Sequence, residues 1–295
     1  MEAEIRLERG TPQKDKPEKK VAFVLSGGAN RGALEVGVLL ALMEHDIRPQ
    51  ILVGTSVGAI NAALFAINPT LEGARHLEKM WGKASEKVGV RRDYISAMWR
   101  LVTGKSSLYD SNKLREMLES FFPKDVRQFS DIKAVELYIT AVDLGSGELY
   151  VFGLDRSESI LDAIMASAAL PILLVPWKYE GRQYVDGGVV SDLPMRVAVD
   201  AGATELYAID IGPLQFAKRA PRGMLRVVGQ TIDAVTSHQL VDEYSWSSKL
   251  PREAIHHIYL EAFENVRIWD FGHTADMIAK GREVGLEYLR QRGLI

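Results

Sequence analysis

The chain has 295 residues, of which 47% are hydrophobic, enough for one large α/β domain or two modest ones. Its net charge of −3 is not typical of nucleic-acid-binding proteins, which usually carry a basic excess. The absence of cysteine excludes disulfides, thiolate metal sites and a cysteine nucleophile, and it fits the cytoplasmic location that we expect.

The N-terminal segment is charged and has no apolar stretch, so it does not resemble a secretory signal peptide. Its basic side chains are mixed with acids, whereas amphipathic targeting sequences are poor in acids. We therefore expect a flexible charged tail over residues 1–19 and a single folded domain over residues 20–295. No apolar run reaches the length of a transmembrane helix.

The apolar run Val21–Ser26 predicts a strand that is buried on both faces. A glycine-rich loop and a helix follow it; the loop reads Gly27-Gly28-Ala29-Asn30-Arg31-Gly32. Such a loop either cradles the phosphates of a dinucleotide or forms an oxyanion hole from backbone N–H groups. The dinucleotide fingerprint requires glycine at position 29 and an acid after the second strand, and both are missing. We therefore favour the oxyanion hole and expect no cofactor.

Ser56 stands between Gly54 and Gly58, after the short apolar run Ile51–Gly54 and before a predicted helix. This pattern is typical of a nucleophile elbow, where a strained strand-to-helix turn needs small neighbours. The turn also directs the serine towards a helix N-terminus, where N–H groups favour negative charge. The alternative is a glycine-flanked turn with an incidental serine.

Downstream, predicted helices alternate with predicted strands. The strands are 136–143, 148–152, 177–185 with a turn at Glu180-Gly181, 205–211 and 254–260, and the helices are 71–87, 113–122, 160–169, 194–202, 224–247 and 273–292. No linker or internal repeat interrupts them. The sequence therefore predicts one α/β domain with a central, mostly parallel sheet flanked by helices on both faces.

Residues 91–109 include an apolar face at helical spacing, formed by Ile95, Met98, Trp99 and Val102. We favour a helix packed on the core. The alternative is a lipid-facing lid over residues 94–102, which would give the protein peripheral membrane contact.

Asp186-Gly187-Gly188 follows the predicted hairpin at 177–185. The glycines allow a sharp turn, so we expect Asp186 to be exposed at the end of its strand. In parallel α/β sheets, this edge is where sites form. An ordinary Asp-Gly turn is the alternative.

The glycine-rich loop, the Gly54–Gly58 elbow and the Asp186 triplet, in this order, resemble the patatin-like phospholipase family. The likeness extends to residues 166–171 and 143–147. It implies a patatin-like hydrolase domain that acts on lipid acyl esters without a metal, with Ser56 as nucleophile and Asp186 as its base. It also implies an oxyanion hole around Gly27, Gly28 and Ala29.

Two features of the loop bear on this implied oxyanion hole. The family usually has a third glycine where this chain has Ala29, so a positive φ at this residue would strain the loop. Arg31 matches the family's basic position, and we expect it to brace the loop.

The chemistry fits these residue types, because an ester carbonyl needs a nucleophile, a base and donors aimed at its oxygen. With a reference pKa of about 3.9, we expect Asp186 to be ionised at neutral pH.

Two other functions remain open. One is a Ser-His-Asp esterase or thioesterase of the α/β-hydrolase type, whose histidine would be His238, His256, His257 or His273. The other is a non-catalytic lipid-binding or regulatory protein on the same fold.

Overall fold

The computed structural model describes residues 19–88, 111–171, 173–212, 243, 249–263, 266 and 270–295. The charged tail, the apolar face at 94–102 and the helix at 224–247 lie almost entirely outside these residues, so they remain predictions.

The described elements follow the predicted order, with bounds that differ from the predicted ones by a few residues. The strands are β1 (Val21–Leu25), β2 (Ile51–Thr55), β3 (Glu136–Asp143), β4 (Leu149–Phe152), β5 (Trp177–Tyr179), β6 (Arg182–Asp186), β7 (Glu205–Asp210) and β8 (Ile255–Tyr259). The helices are α1 (Gly32–Glu44), α2 (Val57–Ile67), α3 (Leu71–Val88), α4 (Ser111–Glu119), α5 (Ile160–Ser167), α6 (Met195–Asp200) and α7 (Thr274–Gln291).

The strands form one sheet in the order β5-β6-β3-β2-β1-β7-β8, with β4 paired to β3. The run from β3 through β2, β1 and β7 to β8 is parallel, whereas β4, β5 and β6 pair antiparallel. The prediction of a mostly parallel sheet is therefore confirmed. The central strand β1 is buried along its whole length, as its continuous apolar run predicts.

Helices cover both faces of the sheet. Phe23 and Leu25 of β1 belong to a large apolar cluster that includes residues of α1, α2, α3, α5 and α7. Ala22 and Val24 point the other way, because side chains alternate along a strand, and they pack with α6. Among the described helices, none is both long enough and apolar enough to cross a membrane.

Three glycines allow α1 and α7 to pack at close range. A side chain at Gly37 would collide with the backbone of Ile278, and one at Gly281 would collide with the Leu34 carbonyl. A Cβ at Gly285 would lie 2.9 Å from the Cβ of Ala41. This contact fixes α1, the helix that follows the glycine-rich loop.

We predict that Gly281→Ala destabilises the protein by about 2–3 kcal/mol, because the added methyl group cannot fit without separating α1 from α7. Gly82→Ala in α3 is the matched control, since its Cβ would meet no described atom within 4 Å. Because alanine has a higher helix propensity than glycine, Gly82→Ala should stabilise the protein by about 0.5–1 kcal/mol. Urea unfolding measures both changes, and equal effects would contradict close packing at Gly281.

Candidate active site

Ser56 occupies the turn between β2 and α2 and is half-buried. Its backbone has φ 55° and ψ −121°, a conformation that residues other than glycine rarely adopt. Such a conformation costs on the order of 1–3 kcal/mol and persists only where the surrounding structure holds it. The strained turn that the sequence predicts is therefore present, with its serine at the carboxyl end of β2.

The two glycines of the elbow are required by backbone contacts. A side chain at Gly54 would collide with the carbonyl of Gly58, and one at Gly58 would collide with the carbonyls of Leu25 and Ser26. The first turn of α2 thus packs directly on the end of β1, which leads into the glycine-rich loop. This contact brings the loop and Ser56 together.

Ser167 holds the Ser56 backbone from the opposite side. The Ser56 N–H donates to Ser167 Oγ at 2.7 Å, and Ser167 is fully buried at the end of α5. The sequence gives this serine no role beyond its place in the family likeness. Its signal is weak, because one hydroxyl in a small-residue helix is common.

In the glycine-rich loop, Ala29 has φ 52°, in the left-handed region. The expectation that this alanine strains the loop at positive φ is thereby met. The Gly27 N–H donates to Asp192 Oδ1 at 3.1 Å. In the described part of the chain, the N–H groups of Gly28 and Ala29 have no recorded acceptor. Two adjacent donors therefore remain for a ligand oxygen.

The far end of the loop is hydrogen-bonded to the two residues that follow β7 and to the segment before α7. The buried Arg31 guanidinium donates to the carbonyls of Ile211 at 3.1 Å and Gly212 at 2.9 Å. Asn30 Nδ2 donates to the Asp270 carbonyl at 2.6 Å. Arg31 thus braces the loop through backbone carbonyls.

Asp186 reaches this edge of the sheet on an antiparallel strand. β6 pairs with β3 so that Asp186 lies opposite Ala141, while Thr140 of β3 lies opposite Thr55 of β2. Only β3 separates the strand that carries Asp186 from the one that leads to Ser56. The expected exposure of Asp186 was wrong, because the residue is 2% exposed.

Burial changes the acidity of Asp186. Loss of solvation raises its pKa to about 6, against the opposing effects of the Ser56 hydroxyl and the Gly188 N–H. Oδ1 accepts the Gly188 N–H at 2.9 Å, whereas Oδ2 is buried without a well-formed hydrogen bond to any described residue. The Ser56 hydroxyl is near enough to lower the pKa but makes no hydrogen bond of normal geometry. Asp186 is thus a stronger base than an exposed aspartate, although still mostly ionised at pH 7.

A second carboxyl at the site, that of the half-buried Asp192, was not singled out from the sequence. Besides its bond to Gly27, it has a pKa raised to about 7, first by burial and then by the charges of Asp186 and Asp210. It lies six residues after Asp186, on the segment that connects the triplet to α6. No local pattern identifies it, because its partners come from the loop after β1 and from the ends of β6 and β7.

Two of the candidate histidines lie away from Ser56. His256 and His257 are on β8, three strand spacings from β2 or roughly 14 Å, and their Nε2 atoms contact Glu205 at 3.2 Å and Asp210 at 2.8 Å. His273 precedes α7, half-exposed, with Nδ1 3.9 Å from Asp276. His238 lies outside the described residues. Within the described ranges, no cluster of three or more His, Asp or Glu side chains could hold a metal ion.

We predict that Ala29→Gly stabilises the protein by about 0.5–1 kcal/mol, because glycine adopts the left-handed conformation without steric strain. Ala33→Gly, four residues later inside α1, should destabilise it by about 1 kcal/mol, since that residue is helical. Urea unfolding of both variants compares them. A loss of stability in Ala29→Gly would contradict the strain at this position.

We predict that Asp186→Asn stabilises the protein above about pH 6. The folded-state pKa is raised, so ionising Asp186 costs stability as the pH rises from about 4 through 6. The asparagine avoids this cost, which we expect to be about 1–3 kcal/mol at pH 8 and close to zero at pH 4. Urea unfolding at both values measures it.

Asp155→Asn is the control for this change, because Ser157 lowers the pKa of that exposed carboxyl. It should give no stabilisation at pH 8. A gain in Asp186→Asn that does not depend on pH would contradict the raised pKa.

Comparisons with known proteins identify the family of this chain. A family model described as Patatin-like phospholipase matches residues 23–199. Patatin-like phospholipase domain-containing protein 7 of Mus musculus is 30% identical over 194 residues, covering 65% of this chain and 14% of that protein. Lysophospholipase nte1 of Aspergillus terreus is 27% identical over 201 residues, covering 66% of this chain and 12% of that protein.

A solved structure, VipD from Legionella pneumophila, shares the fold with a TM-score of 0.50 at 15% identity, covering 94% of this chain and 67% of that one. The matched region of this chain spans only 14% of the Mus musculus protein and 12% of the Aspergillus terreus protein. The family match nevertheless covers more than half of the chain and includes both Ser56 and Asp186. By this match and by its fold, the chain belongs to the patatin-like phospholipase family.

Proposed function

We propose that this protein hydrolyses fatty acyl esters of lipids through a Ser56–Asp186 dyad and an acyl-enzyme intermediate. The observation that carries the proposal is the meeting of three groups at one edge of the sheet. The first is a serine on a strained elbow, and the second is the buried carboxyl of Asp186, whose raised pKa is partly offset by the Ser56 hydroxyl. The third is a pair of adjacent N–H groups without a recorded acceptor in the described chain. Together they supply a nucleophile, a base and oxyanion donors.

In the first half-reaction, Ser56 Oγ attacks the ester carbonyl while its proton passes to Asp186. A pKa of about 6 keeps Asp186 mostly ionised at neutral pH and makes it more basic than an exposed aspartate. Oδ2 is the oxygen suited to receive the proton, since Oδ1 already accepts the Gly188 N–H. The leaving alcohol then takes this proton from Asp186, and the acyl group stays on Ser56.

The negative oxygen formed in this step is assigned to the N–H groups of Gly28 and Ala29. The resemblance to the family implies that Gly27 is also an oxyanion donor. We do not assign it that role, because its N–H already donates to Asp192. The N-terminus of α2 adds a favourable field beside the same oxygen. Arg31 and Asn30 keep the loop in place through their bonds to backbone carbonyls.

In the second half-reaction, water cleaves the acyl-enzyme. Asp186 accepts a proton from the water, and the hydroxide equivalent attacks the acyl carbon. The tetrahedral intermediate collapses to the free fatty acid and Ser56, which recovers its proton from Asp186. Apart from the ester and one water molecule, the proposed cycle uses only side chains and backbone of this chain.

The proposed substrate is a phospholipid or lysophospholipid, and two findings support this class. The family is described as phospholipases, and one relative is named a lysophospholipase. The dyad is favoured over a triad through His256 or His257, because these histidines lie on β8 and contact Glu205 and Asp210. A triad through His238 and a non-catalytic lipid-binding role are outcomes that the following experiment can reveal.

We predict that a fluorophosphonate probe adds once to the wild type and not to Ser56→Ala, as read by intact mass. Hydrolysis of a medium-chain p-nitrophenyl ester and of a lysophospholipid should fall by about 1,000-fold or more in both Ser56→Ala and Asp186→Asn. Ser130→Ala is the control, because that serine is remote from the elbow at the other end of the sheet.

Two results would contradict the proposal. A folded wild type without adduct or turnover would indicate a binding role. Full activity in Asp186→Asn would remove Asp186 as the base and point to a histidine instead.

A further inference from the structure

Asp192 lies between the glycine-rich loop and the Asp186-Gly187-Gly188 triplet. It is half-buried, and its Oδ1 accepts the N–H of Gly27 at 3.1 Å, 165 residues away in sequence. No described residue is recorded as a donor to Oδ2. One oxygen is therefore fixed on the glycine-rich loop, while the other has no protein partner in the described chain.

Two glycines show how close Asp192 lies to the dyad. A Cβ at Gly27 would collide with Asp192 Oδ1 and would lie 3.3 Å from the Cβ of Ser56. A Cβ at Gly188 would lie 2.9 Å from Asp192 Oδ1 and 3.2 Å from Asp186 Oδ1. The Asp192 carboxyl thus lies between the loop beside the nucleophile and the triplet that carries the base.

We propose that Asp192 is a positioning residue of the catalytic centre, which holds the oxyanion loop through Gly27 and lowers activity when it becomes negatively charged. This inference rests on the proposed function, because it concerns the same reaction. It adds a carboxyl that does not touch the reacting atoms but acts through the loop.

The positioning role follows from how the loop is held at both ends. Asp192 fixes the first N–H, that of Gly27, and Arg31 fixes the last residues against the carbonyls of Ile211 and Gly212. Gly28 and Ala29 lie between these two anchors. Their N–H groups are therefore held ready for the oxyanion, and no reorganisation is needed when charge develops.

The charge effect follows from the groups around Asp192. Asp186 at the end of β6 and Asp210 at the end of β7 raise its pKa, whereas the Gly27 N–H and the Arg31 guanidinium lower it. The buried Glu35 of α1 interacts with both Asp192 and Asp210, and its own pKa is raised well above the usual range. His257 on β8 contacts Asp210 at 2.8 Å. Burial has the largest effect and brings the pKa of Asp192 to about 7.

Asp192 is accordingly neutral below about pH 7 and negative above it. A negative charge beside the loop opposes the second negative charge that forms on the substrate oxygen. The same charge also makes Asp186 more basic, but Asp192 is hydrogen-bonded to the loop and not to Asp186. We therefore expect the effect on the loop to dominate, so that the rate falls.

The experiment measures kcat and KM for a medium-chain p-nitrophenyl ester between pH 5 and 8.5. It uses the wild type, Asp192→Asn, Asp192→Ala and Asp200→Asn. The asparagine keeps an oxygen that can accept the Gly27 N–H but carries no charge. Asp200→Asn removes one negative charge from a half-exposed side chain at the end of α6, and so controls for net charge.

We expect kcat/KM of the wild type to rise near pH 6 and to fall near pH 7, with apparent pKa values that belong to the coupled pair of carboxyls. Asp192→Asn should keep the rise, lose the fall and exceed the wild type roughly tenfold at pH 8.5. Asp192→Ala should lose roughly 10- to 100-fold in kcat with little change in KM, because the loop loses its anchor. Asp200→Asn should follow the wild type.

A wild-type profile that Asp192→Asn leaves unchanged would overturn the inference alone, provided that the wild type is active. An inactive wild type that takes up no fluorophosphonate would overturn the proposed function and this inference together. Thermal unfolding checks each variant. If Asp192→Ala does not fold, the pH profile of Asp192→Asn decides the question.

Discussion

The site depends on one backbone contact, in which Gly58 at the start of α2 packs against the carbonyls of Leu25 and Ser26 at the end of β1. Any side chain at this position would push α2 away from β1. The contact joins the turn that carries Ser56 to the strand that leads into the oxyanion loop. The proposed nucleophile and the proposed oxyanion donors are therefore brought together where two chain segments cross, and this close approach explains why glycines flank the serine.

The site carries conformational strain and electrostatic cost that the rest of the fold must offset. Ser56 and Ala29 both have positive φ values, and the buried Asp186 and the half-buried Asp192 are neighbouring carboxyls with raised pKa values. Each of these features disfavours the folded state by an amount on the order of 1–3 kcal/mol. The large apolar cluster between the sheet and helices α1, α2, α3, α5 and α7 provides the stability that offsets these costs. Strain and raised pKa values at the same edge are typical of sites tuned for reaction.

Much of this architecture could be predicted from the sequence, because the signals are local. The apolar run of β1, the turn at Glu180-Gly181 and the small-residue helix that became α5 follow from hydrophobic pattern and turn chemistry. The three motifs also gave the order of the site elements. Each of these signals lies within a few consecutive residues.

The remaining features could not be predicted, because they depend on partners far apart in the chain. The burial of Asp186 results from β6 running antiparallel beside β3, and sequence position alone pointed to exposure. The bond between Asp192 and Gly27 joins residues that no local pattern connects, and the same holds for Ser167 and Ser56. The sign of φ at Ala29 could not be predicted from the sequence either, because the backbone conformation of the loop depends on the contacts of Gly27 and Arg31 with distant residues.

The most direct test of the central claim is to trap the acyl-enzyme. The wild type would be mixed with a slowly hydrolysed p-nitrophenyl ester, quenched in acid within the first turnovers and digested for peptide mass analysis. The account predicts the mass of one acyl group on the peptide that contains Ser56, and its disappearance as hydrolysis is completed. Turnover without an acylated Ser56, or an acyl group on another residue, would contradict it.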